Sequence, residues 1–385
     1  MVIDRDFTLS TLVKAIQIDS RNPALEEGAP GERELARYVE ALMQQLGWTV
    51  ALHELQPLRA NVVATLPGKR TGPSLMINVH LDTVGTAGMD DPFSGTLRDG
   101  RIWGRGAQDI KGGIAAVLGT AKALAERRGR LGGEVILAFV ADEEHESIGT
   151  ADVIRRVKAD AAIVIEPSDL DVCIAHRGFG IIRVRTRGRT AHGGRSDLGI
   201  DANMHMAHAL AELDRWSRAW QQRYRHAMLG PGTLHVPRLS GGRQLFTYAD
   251  ECWADIEVRT VPGMAAEDLH RELQAILDSL QDRVDGFDAS VDLVLWRSPY
   301  EIAADRPIVR TLSDAVETTL GRPPRTIAHT WWEDAALLGE AGIETVIIGP
   351  CGDGLHTERE WVDPDSVVAL AEILYQTVLA HCGRA

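Results

Sequence analysis

The chain has 385 residues, room for two or three domains, and its 44% hydrophobic and 25% charged residues are the balance of a globular protein. That balance excludes disordered, collagen-like and coiled-coil architectures. With 41 Lys and Arg against 55 Asp and Glu, the formal net charge is −14, a poor match for nucleic acid or an anionic membrane surface.

No apolar run approaches the roughly 18 residues that span a bilayer. The opening MVIDRDFTLS places acids where a signal peptide carries a basic segment, so a cytoplasmic protein is expected. Cys173, Cys252, Cys351 and Cys382 are scattered without a CxxC pair, which fits reduced and mostly buried thiols. GxSxG, HExxH and GxxxxGK[ST] are absent. Gly104-Arg105-Gly106 opens like a dinucleotide loop, but Asp109 stands where the third glycine belongs.

In chain order, residues 31–46 have helical periodicity and stop at Gly47, and extended stretches follow at 48–55, 60–66 and 74–81. A helix is expected over 113–127, behind the pair Gly112-Gly113. Residues 134–141, 161–165 and 344–349 are short runs rich in β-branched residues, as in strands buried on both faces of an α/β sheet. Residues 179–187 and 252–260 instead alternate apolar with polar, the pattern of half-exposed antiparallel strands. Helical stretches at 201–225 and 265–282 complete a β-α-β-β-α-β order. Further helices are expected at 306–320, 333–341 and 364–380. The arrangement implies a discontinuous α/β domain, 1–176 with 296–385, carrying an inserted two-layer α+β domain at 177–295.

The acids and histidines fall at strand ends. SLMINV ends in His80-Leu81-Asp82, EVILAFVA in Asp142-Glu143-Glu144, AAIVI in Glu166, and TVIIG leads to His356; Asp109 lies in the glycine-rich GRGAQDIKGG. The carboxyl edge of an open α/β sheet is where ligands bind. Two histidines with three carboxylates suit a pair of divalent ions, zinc foremost, with cobalt or manganese as alternatives. Of the adjacent Glu143 and Glu144, one can bind metal while the other acts as a base.

The segments NVHLDTV, GRGAQDIKGG, DEEHESIGT, IEPSD, GRTAHGG and GDGLH resemble the dinuclear zinc metallopeptidases and deacylases, the family of acetylornithine deacetylase, succinyl-diaminopimelate desuccinylase, aminoacylase and glutamate carboxypeptidase. The resemblance implies a zinc-peptidase-like catalytic domain, its mixed sheet flanked by helices, and a ferredoxin-like inserted domain that dimerises or acts as a lid. It implies that His80 and Glu166 hold one metal, that Glu144 and His356 hold the other, and that Asp109 bridges them with a cis peptide to Ile110. Asp82 would hydrogen-bond His80, and Glu143 would be the general base. His192 would reach the partner subunit's site in a homodimer and stabilise the oxyanion, and Arg259 would hold a substrate carboxylate. The implied reaction is cleavage of an N-acyl amino acid; a dipeptidase or carboxypeptidase on the same scaffold, and a non-hydrolytic amino-acid-binding protein, are the alternatives.

Three stretches depart from that pattern. Phe246 stands near an expected asparagine, and Cys351 lies in a loop that is usually glycine-rich. Trp331-Trp332-Glu333 replaces small residues or threonine, suggesting either an aromatic pocket wall or, through Glu333, attraction for a cationic side chain. The His205 and His208 pair on one helix reads as structural.

Overall fold

The computed structural model describes residues 2–86 and 88–383. Their contacts divide the chain into two compact units. The first comprises Met1–Ile174, Ile302–Ile327 and Glu333–Ala385; the second comprises Ala175–Glu301 and Ala328–Trp332.

The first unit is built on a mixed sheet. Thr49–Gln56, Arg59–Leu66, Val135–Val140, Leu75–His80, Ala161–Ile165, Glu344–Ile348 and Val172–His176 lie side by side in that order. The strands Val135–Val140, Leu75–His80, Ala161–Ile165 and Glu344–Ile348 form a parallel block. Except for Glu344 at the start of the last, every residue of this block is buried. Burial on both faces explains why these runs read as continuously apolar rather than alternating. Because the strands are parallel, their carboxyl ends share one edge, and the candidate ligands lie at that edge.

Helix Gly112–Ala125 packs on Pro364–Cys382 and on Arg5–Gln17. It begins on glycine because it crowds the sheet: a Cβ on Gly113 would stand 2.4 Å from Ile165 Cγ2. Helix Arg5–Gln17 was not expected from the sequence. Its TLSTLVKAIQ is rich in Thr, Ser and β-branched residues that favour other conformations. Asp4 caps it by accepting from the Phe7 N–H at 3.0 Å, and Leu12 and Ile16 are fully buried.

The second unit is a four-stranded antiparallel sheet in the order Thr233–Gly241, Glu251–Thr260, Gly178–Arg187, Asp288–Arg297. Helices Ala202–Arg223 and Ala266–Gln281 cover one face. Alternation in Gly178–Arg187 sends Ile182 and Val184 into a core with Met206, Leu213, Trp220, Ile256, Leu273 and Leu277.

Candidate active site

The carboxyl end of each parallel strand, or the segment that follows it, supplies one corner of a polar cluster in the first unit. His80 is the last residue of its strand and 2% exposed. Its Nδ1 lies 3.0 Å from the main-chain oxygen of Asp82, and the Asp82 carboxylate is farther, at 3.6 Å. A carbonyl there favours the proton on Nδ1 and leaves Nε2 as the free donor atom. That Nε2 stands 3.0 Å from Asp109 Oδ1 and 3.6 Å from Glu166 Oε1. On the opposite side, His356 Nε2 lies 3.4 Å from Asp109 Oδ2 and 3.1 Å from Glu144 Oε2. Asp109 therefore turns one oxygen to each histidine, the geometry of a bridge.

One ligand atom each of His80, Glu143 and Glu166 lies within 4.8 Å of the others, and the same holds for Asp109, Glu144 and His356. The carboxylate oxygens Glu144 Oε1 and Glu166 Oε1 are buried without a hydrogen-bond partner among the described residues. Buried carboxylate oxygens without a donor are costly unless a cation satisfies them. Two imidazoles with three carboxylates are also a donor set that zinc accepts. The residues present thus fit two divalent ions.

The electrostatics tell the same story. Burial works against ionisation of Asp109, but hydrogen bonds from His356 and His80 outweigh it and hold the carboxyl below its usual range. Hydrogen bonds to Asp109 and then Glu144 push His356 up to about 10. Burial, with the Asp109 charge, pushes Glu144 up to about 7. Burial also pushes Glu143 well above the usual range, assisted by the Asp334 and Glu144 charges. Glu143, Glu144 and His356 thus favour their protonated forms in the metal-free protein, and a cation bound among them would displace protons.

The glycine-rich loop places Asp109 through a residue that sequence reasoning missed. Glu360, 1% exposed, accepts from Arg105 Nη1 at 2.7 Å and Gly106 N at 2.8 Å, and from the N–H groups of Gln108 and Asp109 at 3.0 Å. The Asp109–Ile110 peptide is cis. Asp334 was also missed: it is buried, accepts from Thr150 Oγ1 at 2.5 Å, and its carboxyl is pushed by burial up to about 6.

The remaining expected residues have these local surroundings, and of them Glu333 is near enough for its charge to act on Glu166. His192 is exposed in the second unit, where its Nδ1 accepts from Gly194 N at 3.1 Å and its backbone bridges to Thr247. Beside it, Phe246 is 78% exposed and its carbonyl accepts from Gly193 N at 2.8 Å. Arg259, on strand Glu251–Thr260, pairs with Glu257 at 2.5 Å and lies over the Phe179 ring. Trp331 stacks on His329, Trp332 Nε1 donates to the Ser298 carbonyl at 3.1 Å, and Glu333 is fully buried. Cys351 Sγ belongs to a half-buried residue whose thiol burial pushes up to about 11. His205 is buried against Phe287 in the core of the second unit.

The pattern of peptidase family M20/M25/M40 matches residues 76–380, a span that contains all five candidate ligands and Glu143. The chain belongs to this family. Within the M20 family it is 27% identical over 379 residues to an N-formyl-4-amino-5-aminomethyl-2-methylpyrimidine deformylase of Bacillus subtilis, covering 90% of this chain and 89% of that one. It is also 27% identical over 361 residues to an acetylornithine deacetylase of Myxococcus xanthus, covering 91% and 92%. The solved aminopeptidase PepT of Bacillus cereus shares the M20 fold, with a TM-score of 0.79 at 20% identity and 98% and 99% coverage. The chain is a metallohydrolase of the deacylase and peptidase type, on the M20 fold of a mixed sheet with helices and a separate four-stranded antiparallel sheet.

Proposed function

We propose that this M20 hydrolase cleaves the amide bond of an N-acyl amino acid or a related small N-acyl amine in the cytoplasm, as a homodimer joined through its second unit. The observation that carries this reading is the position of Glu143. Its carboxyl lies within ligand distance of His80 and Glu166, and it is held well above the usual carboxylate range by burial. A carboxylate of raised basicity is suited to taking and returning a proton.

His80 and Glu166 would hold one ion, Glu144 and His356 the other, with Asp109 between them; zinc suits the donors best, and cobalt or manganese would serve. Such ions, when bound, acidify water and polarise a carbonyl. Glu143 takes the proton of the attacking water and delivers it to the leaving amine. Asp82 accepts from the backbone N–H groups of Glu143 at 3.0 Å and Glu144 at 3.2 Å, so it holds the base and one ligand in place while neighbouring His80. His192 would donate to the developing oxyanion, with Nδ1 already occupied by Gly194 N. Arg259 would orient the substrate through a carboxylate.

The deacylase reading draws support from the deformylase and the acetylornithine deacetylase, relatives that match about nine-tenths of the chain. A hydrolysis panel tests it: N-acetyl and N-succinyl amino acids, an N-formyl aminomethylpyrimidine, and dipeptides, with metal content measured on the same sample. Release of free amine from the acyl substrates is expected. Cleavage of dipeptides alone would make the protein a peptidase, and recovery of every compound intact would end the hydrolytic reading.

A further inference from the structure

A second buried polar system lies behind the candidate ligands. Asn22, fully buried, aims its side-chain N–H2 at two carboxylates, Asp82 Oδ2 at 2.8 Å and Asp142 Oδ1 at 2.9 Å. Its own carbonyl oxygen accepts from Ala24 N at 2.9 Å, so the amide cannot flip without losing three bonds. Asp142 Oδ1 also receives Arg59 Nη1 at 2.8 Å. The remaining guanidinium nitrogens of Arg59 engage Glu32 at 3.1 Å from Nε and 2.5 Å from Nη2. Glu32, Asn22 and Asp82 are 0% exposed, Asp142 1% and Arg59 4%.

This system ends on the reacting groups. Asp82 follows strand Leu75–His80 and Asp142 follows the adjacent parallel strand Val135–Val140, so Asn22 ties two strand ends together. Asp82 in turn accepts from the N–H groups of Glu143 and Glu144. Asp142 sits in the left-handed region at φ +71°, where aspartate is tolerated. Its main-chain oxygen accepts from Ser147 N at 2.5 Å and its Oδ2 from Glu146 N at 3.2 Å, closing the turn that carries Glu143 and Glu144. Three carboxylates buried around one guanidinium are poor value as stability alone, since apolar replacements of buried ion networks are often neutral or stabilising. What such a network does supply is a fixed geometry.

We infer that Asn22 and Arg59 are positioning residues for catalysis: together they lock Asp82 and Asp142, and through them the turn that presents Glu143 to the substrate and Glu144 to the metal. The role rests on the hydrolase reading for its effect on turnover, but not for its effect on metal retention. Arginine is needed at 59 because its planar fork reaches Asp142 and Glu32 at once, which a single ammonium cannot do.

The experiment compares the zinc-loaded protein with Asn22→Ala and Arg59→Lys. For each, kcat and KM on the best panel substrate, melting temperature, and the chelator concentration that strips each metal equivalent are measured. Both substitutions avoid leaving an uncompensated new charge, and Arg59→Lys provides the second route if Asn22→Ala does not fold. The expected result is a fall in kcat of about 10–100-fold with KM nearly unchanged, and one metal equivalent released at a chelator concentration lower by about the same factor. Wild-type kcat and metal retention in the folded variants would overturn the inference, whatever the change in melting temperature. If the wild-type protein cleaves no substrate, the hydrolytic reading fails separately, and the metal-release measurement still decides this one.

Discussion

At the scale of single residues, neighbouring carboxylates face different partners, and the proposed function gives them different work. Glu143 and Glu144 are adjacent in sequence, yet Glu144 faces His356 and Asp109 while Glu143 faces His80 and Glu166. Glu143→Ala is therefore expected to keep both metal equivalents and lose about 10²–10⁴-fold in kcat, the range of a positioned general base. Turnover measured beside metal analysis checks this, and a variant that stays substantially active would remove Glu143 from its role. His192 presents the opposite case, an exposed side chain with one ring nitrogen already engaged. His192→Ala should lower kcat by more than it raises KM; a change confined to KM would speak against contact with the oxyanion.

At the scale of elements, the sheet converts sequence into geometry. The parallel block brings four carboxyl ends to one edge, and glycine allows two of them to approach. Glu166 N donates to the Ile348 carbonyl at 3.2 Å, and a Cβ on the next residue, Gly349, would stand 2.1 Å from the Glu166 carbonyl oxygen. Backbone cannot yield as a flexible side chain can, so Gly349→Ala should displace the end of strand Ala161–Ile165. The expected outcome is weaker metal retention at the His80 and Glu166 pair, read by chelator titration, in a chain whose circular dichroism is unchanged. Retention equal to wild type would show that the strand end can shift without moving the ligand. Three of the four parallel strands were legible from their β-branched runs, and Leu75–His80 as an extended stretch. The helix Arg5–Gln17 was not, because its stability comes from packing and a single cap rather than from propensity.

At the scale of the whole molecule, no helix among the described residues is long and apolar enough to cross a membrane. Metal binding is expected to couple to folding and to protons. In the metal-free chain His356 is raised to about 10 by its carboxylate partners, from an ordinary 6.5. Burial raises Glu144 to about 7 and Asp334 to about 6. The folded state thus holds protons that the unfolded chain has already released. The stability linked to those protons is complete below the ordinary values and is lost as pH rises through the folded ones. The melting temperature of metal-free protein should accordingly fall between about pH 4.5 and pH 8, above which Lys111, lowered by burial to about 8, opposes the loss through His356, whereas zinc-loaded protein should show a flatter profile. Metal binding at pH 7 should release protons, measurable by calorimetry in buffers of different ionisation enthalpy. Chelation should abolish hydrolysis, and zinc or cobalt should restore it; full activity in metal-free protein would defeat the mechanism.

The sequence by itself determined the α/β class, the parallel runs and the placing of His80, Glu143, Glu144 and Glu166 at strand ends, since burial on both faces and local periodicity are written in neighbouring residues. Only the tertiary structure decided which distant groups support that edge. Asn22 and Asp142 are 120 positions apart, and Glu360 reaches Gln108 across 252. Nothing local distinguishes that asparagine or that glutamate from the surface residues around them. Their meaning arises when chain folding removes water from a polar group and leaves it one possible partner.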